Sequence, residues 1–77
     1  MMDEYAFEEL DGTIFLGSYR DIIRQMKKIE WGETPPVDEW KMRVQMRARM
    51  LGINLEFYDA ASFLQALVDA GLGQFRP

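Results

Sequence analysis

The sequence predicts an α+β fold: a small two-layer domain in which a short sheet, built from an N-terminal hairpin plus one later strand, is covered by three helices in the order ββααβα. Three observations carry this. Asp11-Gly12 separates two short segments near the start, three longer stretches carry apolar residues at helical spacing, and INLEF, residues 53–57, alternates apolar with polar. Seventy-seven residues without internal repeat, low-complexity tract or linker make a single domain, 1–77.

The hairpin comes first. Strands are expected over Tyr5–Leu10 and Thr13–Leu16, with Asp11-Gly12 as a two-residue type I′ loop, because both residues tolerate positive φ. DEYAFEEL, residues 3–10, is also rich in helix formers and admits a helical turn or two ending at Gly12.

In SYRDIIRQMKKIEW, Ser18 is a cap and Asp21, three residues on, completes a capping box with negative charge near the positive end of the helix dipole. Tyr19, Ile22, Ile23, Met26 and Ile29 form one stripe for burial. Arg20, Arg24, Lys27 and Lys28 project from the other side of this helix, residues 19–30.

KMRVQMRARM, residues 41–50, fits two templates. With period two its methionines, valine and alanine alternate without a break against Lys41, Arg43, Gln45, Arg47 and Arg49, as in a half-buried strand. The flanking residues decide for a helix over 35–51. Thr34 offers a cap, Pro35 a first helical position and Asp38-Glu39 an acidic first turn; strong helix formers follow, and Gly52 supplies the stop. Coiling sends Val37, Trp40, Val44, Ala48 and Leu51 one way and Met42, Met46 and Met50 almost opposite.

INLEF then reads as the third strand. YDAASFLQALVDAGLG follows as a helix capped by Asp59, with Ala60, Phe63, Leu64, Leu67 and Ala70 inward and Gly71 at its end; the tail GQFRP is expected to fray.

Composition limits function. Cysteine and histidine are absent, so there is no disulfide framework, no thiolate zinc site and no imidazole for metal ligation or proton transfer near neutrality. No cofactor is implied. No run is long enough to cross a bilayer, and MMDEYAFEEL has neither the basic nor the apolar region of a secretory signal, so a soluble cytoplasmic protein without membrane contact is expected. The net charge of −4 is segregated: residues 20–49 carry +3, residues 1–19 carry −5 and residues 50–77 carry −2.

Candidate sites follow from these patterns. Met42, Met46 and Met50, with Arg43 and Arg47 beside them, form a candidate protein-interaction face, because unbranched thioethers repack around different partners. Arg20, Arg24, Lys27, Lys28 and Arg49 are candidate anion-binding residues, set against the plainer reading of solvated arginine and lysine faces. Gly17-Ser18 at a helix start could hold a phosphate but lacks any accompanying glycine-rich or lysine-serine motif. Glu8, Glu9 and Asp11 do not face one another as an acid/base pair, and Trp31 and Trp40 are expected to pin the two central helices together. The function implied is a non-enzymatic interaction module with the contact on helix 35–51, its partner another protein or a second copy. The alternative is a nucleic-acid-associated protein using the basic faces of both central helices.

Overall fold

The computed structural model describes residues 4–77 and contains β1 (Tyr5–Glu9), β2 (Ile14–Gly17), α1 (Tyr19–Trp31), α2 (Val37–Met50), α3 (Ala60–Asp69) and β3 (Gly73–Arg76). Three strands and three helices form the expected α+β domain. The third strand, however, follows the last helix, so the chain runs ββαααβ.

β1 is central in an antiparallel sheet of order β2-β1-β3. Its register places Phe15, Phe7 and Phe75 in one row across the three strands, facing the helices. Phe7 is fully buried, and Phe75 meets it edge-on at 5.2 Å between ring centres. Gly73 is required beside this row: a Cβ there would lie 2.5 Å from Phe7 Cζ. The helical alternative for residues 3–10 therefore gives way to a strand over Tyr5–Glu9, while Asp3 lies outside the described residues.

Four residues separate β1 from β2, and Glu9 N–H, donating to the Thr13 carbonyl at 2.9 Å, closes a loop of three, Leu10, Asp11 and Gly12, not two. Gly12 N–H donates to the Glu9 carbonyl at 2.9 Å, the Asp11 carboxylate accepts from Thr13 N–H at 2.9 Å, and only Gly12 takes positive φ, at 90°. Asp11 gains more by folding its side chain onto the turn than by entering the left-handed region that a type I′ loop demands.

The reciprocal Ser18–Asp21 capping box opens α1. Ile22, Ile23 and Met26 are buried as expected, but Ile29 is 72% exposed because the last turn of α1 runs past the core. α2 begins at Val37 with Pro36 as its cap residue and no side-chain cap; Thr34 and Pro35 stand outside it. The cause is steric: Pro36 keeps Pro35 out of helical conformation, so the helix cannot start before the second proline.

Residues 53–57 belong to no strand and have no sheet partner among the described residues. Leu55 is buried and Ile53 and Phe57 are half-buried, so the alternation is real, yet the segment is held by Ile53 N–H on the Ala48 carbonyl (2.8 Å) and Gln45 Nε2 on the Leu55 carbonyl (2.6 Å). The tail predicted to fray instead supplies β3. It is tied down by Phe75 within the aromatic row and by Gln74 and Arg76, which both donate to the Glu8 carboxylate.

α1 packs on β2, α3 on β3, and the two helices on each other; the principal helix contact of α2 is with α1. Trp40, 1% exposed, also joins α2 to Phe63 of α3 at 5.6 Å between ring centres. Its indole N–H is buried without a hydrogen-bond partner among the described residues.

Candidate interaction surface

Segment 41–50 is helical throughout, which settles where its side chains point. Trp40 and Ala48 are buried and Val37 and Val44 half-buried on the inner side. On the opposite side Met42, Met46 and Met50 are 58, 62 and 85% exposed. At four-residue spacing they make a ridge roughly 12 Å long, taking 1.5 Å rise per residue. Leu51, expected inside, is 79% exposed: it is the C-cap of α2, where the chain leaves the helix.

Arg43 and Arg47 flank the methionines. Their guanidinium groups lie over the Trp31 ring, 5.2 and 6.0 Å from its centre, and each has a carboxylate partner, Glu39 for Arg43 at 3.7 Å and Glu30 for Arg47. Trp40 thus pins α2 within the core, whereas Trp31 does so at the surface, under two arginines. No residue pattern announced the Glu30–Arg47 pair, since it depends on how α1 and α2 cross.

The candidate anion-binding residues divide. Lys27 leaves the set: it is 7% exposed, and its ammonium donates to the carbonyls of Gly32 and Glu33, both at 2.8 Å, closing the turn after α1. Burying its stem and satisfying two orphan carbonyls fixes the charge inside the fold. Arg20, Arg24 and Lys28, four residues apart, remain exposed along α1, and Arg49 is exposed near the end of α2; none forms an ion pair among the described residues. Arg20 and Arg24 border a cleft shared with Lys41, Asp38 and Asp59, so that neighbourhood is mixed in sign.

The Gly17-Ser18 turn is filled from within. Asp21 Oδ2 accepts from Ser18 N–H at 3.4 Å, and a Cβ at residue 17 would lie 2.9 Å from Asp21 Cβ, so a carboxylate stands where a phosphate would have to sit.

Carboxylates with displaced titration lie away from the methionine ridge. Hydrogen bonds from Gln74 and Arg76 lower the pKa of Glu8, those from Thr13 lower that of Asp11, and those from Ser62 lower that of Asp59. Desolvation raises that of Glu9, helped by the charges of Asp11 and Glu30. Among the described residues no group of three or more Asp or Glu side chains converges to hold a metal ion, and no helix is long and apolar enough to cross a membrane.

No protein family, curated protein or solved structure matches this chain.

Proposed function

We propose that this chain is a non-enzymatic protein-interaction module whose contact surface is the outer face of α2, with Met42, Met46 and Met50 at its centre and Arg43 and Arg47 on its flank. The supporting observation is the exposure of three methionines, four residues apart, in one ridge. Contiguous apolar surface of this kind is a cost to a solitary domain and a resource to one with a partner. Methionine and arginine are also enriched at protein contacts, and the Trp31 face beneath the guanidiniums supplies a rigid aromatic support. The reading includes a cytoplasmic location.

The test is a photo-crosslinking amino acid placed at Met46 in cells, with the same group at Gln65, exposed on α3, as reference. A covalent protein adduct at position 46 and not at 65 is expected. No adduct at 46, or equal adducts at both, overturns the reading.

The second reading, nucleic-acid association, draws on the exposed Arg20, Arg24, Lys28 and Arg49. It is the weaker, because Lys27 is internal, Arg43 and Arg47 have carboxylate partners, and the net charge is −4. It requires DNA or RNA binding that falls steeply with salt and is lost when Arg20, Arg24 and Lys28 become glutamate.

A further inference from the structure

We infer that the occupant of the outer face of α2 is a second copy of this chain, docked α2 against α2 in the antiparallel sense. This rests on the reading of that face as a contact surface and goes beyond it by naming the partner and its orientation.

The order of charge along the outer face of α2 sets the orientation. At roughly 100° per residue, with Met46 facing the partner, Asp38 and Arg49 fall on one flank, about 80° and 60° from the centre, Arg43 and Arg47 on the other, about 60° and 100°, while Glu39 lies only about 20° from the centre. The flank of Asp38 and Arg49 is therefore acidic at the N-terminal end of the helix and basic at the C-terminal end; on the other flank Arg47 is engaged by Glu30 of its own chain. In an antiparallel two-fold pair each flank meets its own copy reversed end for end. Asp38 then faces the partner's Arg49. A parallel two-fold pair would set one flank against the other without reversal, placing Arg47 beside Arg49 of the opposite copy. Two like-charge encounters oppose the parallel dimer, and two opposite-charge encounters favour the antiparallel one.

Three further features agree. A two-fold axis crossing α2 near Val44 lays Met42 against the partner's Met46 and Met46 against its Met42, so the ridge is self-complementary in the same register that matches the charges. Antiparallel helix dipoles also oppose one another favourably. The intrachain partner of Asp38 is weakly held: Asp38 to Lys41 is 3.5 Å with the carboxylate 95% exposed, so this acid can exchange partners. Arg43 approaches its own copy near the axis, and there Glu39 and the Trp31 ring hold its charge. One helix face and its flanks cover less than the ~800 Å² per partner of a standard stable interface. The dimer is accordingly weak, with a Kd on the order of 100 μM.

The experiment is sedimentation equilibrium of the purified full chain, from about 20 μM to 1 mM at low ionic strength, a range that brackets this affinity. Dimerisation is expected, and Met46→Glu is expected to be monomeric throughout. Asp38→Arg and Arg49→Asp should each weaken association about tenfold, while the two together restore it to within about threefold, because the double variant recreates the match with signs reversed. Circular dichroism melts establish that each variant is folded. A wild-type monomer at 1 mM, or a double variant no better than the single ones, overturns the inference. The two proposals separate cleanly: a crosslink from position 46 to a different protein, with a monomeric purified chain, removes the second copy and leaves the contact module standing, whereas no crosslink removes both.

Discussion

α1 and α2 are neighbours of nearly equal length, yet they are built on opposite plans. α1 has a complete capping box, one buried stripe and a charged outer side. α2 has no side-chain cap and is apolar on two opposite sides, with Trp40 and Ala48 inward and three methionines outward. The difference teaches that local signals and core packing account for the start and the buried stripe of α1 as far as Met26, but for only the inner face of α2. Capping and one-sided amphipathicity specify a helix that needs nothing further. The second apolar face of α2 is surface that the fold of this domain leaves uncovered among the described residues.

The contrast can be broken by substitution, beginning with the largest effect. Trp40→Ala should destabilise the domain by about 3 kcal/mol, the low end for loss of a buried aromatic side chain, because the unpaired indole N–H goes with it. Urea unfolding measures this. A loss below about 1 kcal/mol would mean that the inner face of α2 does not anchor the helix. Ser18→Ala should cost about 1 kcal/mol by removing the α1 cap, read by the same titration; an unchanged midpoint would erase the distinction between the helix starts.

Acid sharpens the comparison from outside both helices. Glu8, Asp11 and Asp59 have folded pKa values below their unfolded ones, so the stability they contribute is present above about pH 4 and is lost as pH falls through their folded values. Glu9 has the reverse sign: its folded pKa lies above the unfolded one, so stability is lost as pH rises through it. Thermal melts should therefore show a slight rise from pH 7 toward pH 5 and a decline below pH 4; a flat profile between 5 and 2 would contradict the assignments. The smallest effect on stability is expected from Met46→Lys, within about 0.5 kcal/mol of wild type, although it should abolish association. A large loss would show that the ridge serves the fold after all.

Much of this architecture was legible in the residues. Ser18 with Asp21, Asp59 as the cap of α3, and the opposition of Trp40 to Met46 are local facts, and each appears where its spacing puts it; the reciprocal bond of Ser62 to the Asp59 cap was not read. The position of the third strand was not legible, for a physical reason. Alternation reports which side chains turn inward, not whether the backbone has a neighbour, so Ile53, Leu55 and Phe57 alternate in a segment without a ladder. GQFR carries one inward apolar residue, Phe75, and owes its place to β1 rather than to any period of its own. Two prolines in succession did carry a readable signal, since the first cannot be helical before the second. The burial of Lys27 was not readable, because it depends on carbonyls that only the completed turn gathers together.

The central strand β1 lies among the first residues, and one of its two neighbours, β3, joins Glu8 across 66 to 68 positions of sequence. A ribosome emitting this chain releases β1 early and the strand that completes its sheet only after all three helices. The aromatic row across the sheet therefore cannot close before synthesis has passed Phe75.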